Sequence, residues 1–263
     1  MFPGASADRA DAAYVLVGAP LDVSTTFQPG TRFGPERIRR FARTFDDYDR
    51  RTDTTLTDCA VHDHGDVRAW DDAAEYLSYL EDVLADVRRD GAVPITLGGE
   101  HTVSVAGVRA VEPDVVVSID AHLDLRSEYD GNELSHACAM RHALDVADEL
   151  VVLGARTGSP EEWERAEQAD VTVVPPEDVG SWDGSTLDGE VYCTIDIDAA
   201  DPSVAPGTGT MEPFGLAPRE LRELVRTVAP MASGFDVVEV NDRDDGQAAA
   251  LAGKLLREFI YNE

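Results

Sequence analysis

The stretch Asp114-Val115-Val116-Val117-Ser118-Ile119-Asp120-Ala121-His122-Leu123-Asp124 runs an apolar segment straight into a cluster of acids and an imidazole. Its apolar part is short, rich in β-branched residues and flanked by charge, so it reads as a strand buried on both faces. The device recurs where Val191-Tyr192-Cys193-Thr194-Ile195 leads into Asp196-Ile197-Asp198-Ala199-Ala200-Asp201-Pro202. Similar apolar runs occupy Ala13–Val17, Val93–Leu97, Leu150–Ala155, Val171–Val174 and Phe235–Val240, with another over Cys59–Val67. Helical patterns fall between them, at Pro35–Phe45, Asp71–Arg89, His136–Val146, Pro160–Gln168, Pro218–Val228 and Ala248–Ile260. In Asp71–Arg89 the three- and four-residue spacing puts Ala74, Leu77, Leu80, Val83 and Leu84 on one side. Strands alternating with helices predict an α/β fold built on a parallel sheet.

In such a sheet the ligand crevice forms beyond the carboxyl ends of the strands. Asp120, Asp196 and Glu239 lie at those ends, and His101 follows another strand within Gly98-Gly99-Glu100-His101. Alternate residues of an extended chain share a side, so Asp120, His122 and Asp124 point together, as do Asp196 and Asp198. Acids aimed into one place repel unless something positive lies between them. Hard carboxylate oxygens with a few imidazoles suit Mn²⁺ or Mg²⁺ better than a thiolate-rich structural zinc site. A pair of divalent cations is the simplest object that answers this set, and it makes the chain a metallohydrolase.

The 263 residues include 52 acidic and 22 basic ones, for a net charge of −30. Asp and Glu are spread along the whole chain, and Lys254 is the only lysine. Such a surface opposes nucleic acid and anionic membranes. It fits a cytoplasm at molar salt, where charge is screened over about 3 Å; an acidic face for a basic partner is the rival reading. No stretch reaches the roughly 18 apolar residues of a membrane span. Residues 1–12 lack the pattern of a secretory signal. Three unpatterned cysteines, Cys59, Cys138 and Cys193, fit a reducing cytoplasm. The length accommodates a single domain over residues 1–263.

Gly98-Gly99-Glu100-His101-Thr102, Asp120-Ala121-His122-Leu123-Asp124, Ser135-His136-Ala137 and the run from Asp196 to Thr210 together resemble the ureohydrolase family, which includes arginase and agmatinase. Order and spacing match over essentially the whole chain. Gly18-Ala19-Pro20 and Phe27-Gln28-Pro29-Gly30-Thr31-Arg32-Phe33-Gly34-Pro35 are similar to its agmatinase branch, and Asp124-Leu125-Arg126 with Ser135 to Arg141 is most similar to archaeal members. Val237-Val238-Glu239-Val240-Asn241 is similar to the family's last strand.

The resemblance implies a three-layer α/β/α fold around a mainly parallel, about eight-stranded sheet, with a binuclear manganese centre (two Mn²⁺ per chain). His101, Asp120, Asp124 and Asp196 would hold one ion. His122, Asp120, Asp196 and Asp198 would hold the other, so Asp120 and Asp196 would bridge. Two such ions share and acidify one water, which attacks the guanidinium carbon. His136 would move a proton to the leaving amine, and Glu239 would pair with the planar guanidinium. The resemblance further implies a small cationic guanidino substrate and a homotrimer or homohexamer.

Other residues read as structural. His62-Asp63-His64 precedes a turn at Gly65-Asp66, Asp201 shapes the loop after the ligands, His142 is a surface or core residue, and Cys138 and Cys193 pack. The acids of Ser127-Glu128-Tyr129-Asp130-Gly131-Asn132-Glu133-Leu134 would repel an α-carboxylate. That favours agmatine over arginine or formimidoylglutamate, whereas Arg126 and Arg141 are near enough to receive a carboxylate. Another guanidino compound, such as guanidinobutyrate or aminopropylagmatine, is an alternative substrate. A metal-binding scaffold without activity and a single-zinc deacylase are alternatives of another class. Glu100, Met211, Phe214 and Asp242 depart from the family's usual residues.

Overall fold

The computed structural model describes residues 1–68 and 70–262. Among the described residues ten strands occur in chain order: β1 Tyr14–Ala19, β2 Tyr48–Asp49, β3 Thr54–Thr55, β4 Val61–Asp66, β5 Val93–Gly98, β6 Val115–Ile119, β7 Glu149–Leu153, β8 Val171–Val174, β9 Val191–Asp196 and β10 Ala232–Val238. Eight form one sheet in the order β4-β1-β5-β10-β9-β6-β7-β8. Every pairing in it is parallel. β2 and β3 make a small separate antiparallel hairpin, which the sequence pattern did not suggest.

The helices are α1 Gly34–Ala42, α2 Ala73–Arg89, α3 Val103–Val111, α4 Ala139–Ala143, α5 Pro160–Ala166, α6 Pro218–Val228 and α7 Gln247–Ile260. One face of the sheet carries α1, α6 and α7, which bury residues such as Ile38, Leu224 and Leu256. The other carries α2, α3 and α4, through Leu80, Val108 and Met140. The architecture is the three-layer α/β/α expected. Asp72 starts α2 by accepting from the backbone NH of Glu75 at 3.0 Å, which satisfies one of the orphan donors of the first turn. The apolar stripe then turns Leu77, Leu80 and Leu84 inward, each buried. Removing one such leucine side chain costs about 2–5 kcal/mol.

Two expectations differ in extent. The helix expected over 136–146 is a 3-10 turn, His136–Cys138, followed by the five-residue α4. β10 stops at Val238, so Glu239 stands one residue beyond it. The helix α3 lies in a stretch where the sequence reading proposed no element.

Candidate active site

Four adjacent central strands deliver the functional residues. β5 leads to His101, β10 to Glu239, β9 to Asp196 and Asp198, and β6 to Asp120, His122 and Asp124. Close approach governs the first of these turns. A Cβ on Gly99 would lie 1.9 Å from the carbonyl oxygen of Leu21, so only glycine lets the chain pass before His101.

The chain does not remain extended as it leaves the sheet. Asp196 accepts from the backbone NH of Asp198 at 2.8 Å, and residues Ile197–Ala199 form a 3-10 turn. Asp120 likewise accepts from the NH of His122 at 2.7 Å. The alternation read from the sequence therefore converges through tight turns rather than a pleat. Asp124 and Glu239 are both held at positive φ, 50° and 60°. That conformation is strained for a residue with a Cβ and is concentrated at functional sites.

All six sequence-predicted ligand residues meet. His101 Nδ1 lies 2.8 Å from Asp124 Oδ2, 3.2 Å from Asp120 Oδ2 and 3.7 Å from Asp196 Oδ2. His122 Nδ1 lies 3.0 Å from Asp198 Oδ2 and 3.7 Å from Asp120 Oδ1. Two groups have donor atoms near enough to share a cation: His101, Asp120 and Asp124, and Asp120, His122 and Asp198. Asp120 belongs to both. His136 and Glu239 sit beside this basin, with His136 Nδ1 3.6 Å from Glu239 Oε1. The backbone NH of His101 donates to Glu239 Oε1 at 2.9 Å.

The electrostatics describe a cluster of acids short of positive charge. Burial, with the charges of Asp198 and Asp120, holds the Asp196 carboxyl well above the usual range. Burial, then Asp120, pushes Asp124 up to about 6. Glu239 is raised mainly by burial, against the stabilising hydrogen bond from His101. Burial opposes the imidazolium of His122, yet the Asp198 and Asp120 carboxylates outweigh it and push its pKa up to about 12. His101 is raised in the same way by Asp120 and Asp124. The imidazoles thus serve as the cluster's counter-charges. Asp120 Oδ2 is fully buried without a hydrogen-bond partner. An orphaned carboxylate oxygen at the centre of an oxygen-rich set fits a hard divalent cation.

Several supporting residues were not singled out as such from sequence. Glu100, met there only as a departure from the family pattern, is completely buried. It accepts from the backbone NH groups of Val23 and Ser24, both at 2.7 Å, and from the hydroxyls of Ser24 and Thr102. Ser24 Oγ in turn receives the backbone NH of His136 at 2.9 Å, and Thr26 Oγ1 lies 3.3 Å from His136 Nε2. Arg156 donates to the carbonyls of Asp198 and Glu212 at 2.8 and 2.7 Å, tying down the loop after β9. Asp201 shapes that loop as expected, accepting from the NH groups of Ser203 and Phe214.

The structural readings of other histidines also fit. Asp63 is taken up by Arg39, and His62 Nδ1 bonds the carbonyl of Ala7. His142 meets Asp145 and the Glu133 carbonyl at the surface.

A cavity of about 280 Å³ opens over the basin, with Arg126, Tyr129 and Glu162 on its outer wall. The 127–134 loop contributes Tyr129 alone to that wall, while Glu128, Asp130 and Glu133 face solvent. The loop's acids therefore do not line the cavity. Arg141 is also exposed and away from it.

A carboxylate-rich basin at the carboxyl ends of a parallel sheet is the arrangement of a metal-dependent α/β hydrolase. The chain belongs to the arginase family, ureohydrolases that act on amidine carbon–nitrogen bonds with bound metal, and the family model matches residues 12–261. It is 34% identical over 259 residues to the agmatinase of Pyrococcus horikoshii, covering 95% of this chain and 91% of that one. It is also 34% identical over 256 residues to the N(1)-aminopropylagmatine ureohydrolase of Thermococcus kodakarensis, covering 93% and 88%. The structure of the agmatine ureohydrolase of Thermoplasma volcanium superposes with a TM-score of 0.95 at 34% identity, covering 99% and 93%.

Proposed function

We propose that the chain is a binuclear manganese enzyme that hydrolyses agmatine to urea and putrescine. The observation that carries this is the meeting of His101, Asp120, His122, Asp124, Asp196 and Asp198 around the orphaned Asp120 oxygen. His101, Asp120, Asp124 and Asp196 would hold one cation, and Asp120, His122, Asp196 and Asp198 the other. The pair supplies an acidified water and a counter-charge to the developing anion. Oxygen-rich donors favour Mn²⁺ over a thiolate-binding metal.

The chain's own groups supply the rest. Glu239, buried and oriented by the His101 NH, binds the guanidinium through two carboxylate oxygens. His136, steadied by Ser24 and Thr26, moves a proton to the departing nitrogen. Burial lowers the His136 pKa below the ordinary histidine value, against the pull of Glu100.

Substrate choice follows from the outer wall. Among the described residues lining the cavity there, Arg126 is already committed: it lies 3.2 Å from Glu162 and stacks on Tyr129 at 5.1 Å. No unpaired cation in that wall awaits an α-carboxylate, which supports agmatine over arginine and over formimidoylglutamate.

Three further parts of the reading rest on chemistry. The net charge of −30 supports a protein adapted to a high-salt cytoplasm. No helix among the described residues is long and apolar enough to cross a membrane. Exposed Phe27, Phe33, Met211 and Phe214 support assembly into a homotrimer or homohexamer.

The test is a substrate panel with Mn²⁺ in concentrated KCl. Urea release is measured on agmatine, aminopropylagmatine, arginine and guanidinobutyrate, and formamide release on formimidoylglutamate. Agmatine should lead, and a preference for arginine overturns the substrate assignment. Dialysis into low salt should lower both activity and melting temperature.

A further inference from the structure

Beneath the basin, one layer into the sheet, the central strands carry polar side chains where their neighbours carry valine. Thr96, Asp236, Thr194 and Ser118 align in register across β5, β10, β9 and β6. The next partners outward are Val17 and Val152. Each of the four polar residues is at most 1% exposed. A carboxylate at such depth is costly unless its charge is answered. Tyr192 donates its hydroxyl to Asp236 Oδ2 at 2.7 Å, while Oδ1 has no hydrogen-bond partner; burial holds the carboxyl above its ordinary value, against the hydroxyls of Thr194 and Tyr192. Tyr192 has room because α3 and β10 each give up a side chain. A Cβ on Gly107 would lie 1.9 Å from the Tyr192 oxygen, and one on Gly234 would lie 2.6 Å from its ring. A glycine within a helix costs about 1 kcal/mol against alanine, so the cluster is accommodated at the expense of α3.

This layer meets the basin at Thr194. Thr194 Oγ1 is 3.1 Å from His101 Nε2 and 3.2 Å from Ser104 Oγ. The opposite ring nitrogen, Nδ1, faces Asp124, Asp120 and Asp196. We propose that Asp236 and Thr194 are positioning residues that fix the His101 tautomer, keeping the proton on Nε2 and the Nδ1 lone pair directed into the basin. A neutral imidazole has one donor and one acceptor nitrogen, and the partner of the distal nitrogen decides which is which. Thr194 accepts from Nε2–H only if its own hydroxyl proton goes elsewhere. Ser104 Oγ, 3.2 Å away, can take that proton, and the unpartnered Asp236 Oδ1, at the strand position paired with Thr194, offers a second acceptor. With an asparagine at 236, the amide can donate to Thr194. The hydroxyl then turns to donate to Nε2, the proton moves to Nδ1, and the ring cannot ligate.

The inference rests on the binuclear reading, so the experiment counts cations rather than urea. Mn²⁺ content and affinity are measured by calorimetry for wild type, Asp236→Asn, Thr194→Val and Thr194→Ser, with melting curves of each metal-free protein. Wild type and Thr194→Ser should bind two cations tightly. Asp236→Asn and Thr194→Val should keep one at wild-type affinity and weaken the other by about 10–100-fold. If Asp236→Asn does not fold, the Thr194 pair decides, because serine restores the hydroxyl and valine does not. Unchanged affinities in Thr194→Val, or equal losses in Thr194→Val and Thr194→Ser, overturn the proposal. Wild type that takes up fewer than two cations overturns the binuclear reading beneath it.

Discussion

The His101 backbone NH and the Glu239 carboxylate are joined by a 2.9 Å hydrogen bond. This bond spans β5 and β10 and fixes one Glu239 oxygen without using any proposed metal ligand's side chain. Glu239→Ala should therefore keep both cations while losing turnover. Leaving a desolvated guanidinium without its carboxylate costs about 2–5 kcal/mol, roughly 30-fold to 5,000-fold in kcat/KM. Calorimetry and a urea assay check this, and loss of metal along with activity would contradict the separation.

Asp120 belongs to both candidate cation groups. Asp120→Ala should remove both cations and all measurable urea formation, whereas Asp124→Ala touches one group and should leave one cation bound. Elemental analysis after gel filtration distinguishes them. Asp120→Ala retaining a full complement would remove Asp120 from its bridging position.

Protonation should compete with the cations. The His122 imidazolium is held up to about 12 and Asp124 up to about 6, while His101 and Asp196 are also raised. These groups must shed protons to ligate, so apparent affinity should rise with pH, by about tenfold per unit for each proton displaced. Titrations in buffers of different ionisation enthalpy would report that release. Affinity flat between pH 6 and 8 would argue that the basin is not the binding site.

Glu100 holds Ser24, and Ser24 holds the His136 backbone. Glu100→Gln keeps the shape but replaces an acceptor-only group with one that also donates. It should leave cation binding near wild type and lower kcat more than KM, toward the loss of about 10² to 10⁴ expected for His136→Ala. Steady-state kinetics on both variants make the comparison. A Glu100→Gln enzyme with wild-type kcat would detach the 23–26 loop from proton transfer.

Far from the basin, Arg39 on α1 pairs with Asp63 on the edge strand β4 at 2.8 Å. Asp63→Ala leaves a nearly buried guanidinium with the Asp66 carboxylate and the Pro35 carbonyl beside it, a loss of about 3–5 kcal/mol for a buried pair. Burial alone would raise the Asp63 carboxyl, but Arg39 more than offsets this and lowers it. A depressed carboxyl pKa stabilises fully above the unfolded value of about 3.9 and loses that contribution as pH falls below it. Denaturation of wild type and variant should therefore differ at pH 7 and converge in strong acid.

The strands were legible because Val, Ile and Leu fill them on both faces, as the buried run of β6 shows. The ligands were legible because His101, Asp120, Asp196 and Glu239 directly follow or end such runs. α3 was not, for a physical reason. Val103–Val111 is rich in valine, carries an internal glycine and is buried on almost every side. It has neither the helix-forming residues nor the one-sided stripe that betray a helix. Glu100 and Thr194 escaped as supports because their partners, Ser24 and His101, lie 76 and 93 residues away. Local pattern carries no trace of such distances. The loop 127–134 misled in the other direction: its acids reflect the general acidity of the surface, and of its residues only Tyr129 lines the cavity.

β10 is the last strand to be synthesised, yet it lies between β5 and β9 in the middle of the sheet. Before it exists, β4-β1-β5 and β9-β6-β7-β8 are two half-sheets with a gap between them, His101 on one side and the aspartates on the other. β10 is thus the piece that bridges His101 to the aspartates. The basin, and with it the candidate cation site, is complete only when the strand latest in sequence fills the middle of the sheet.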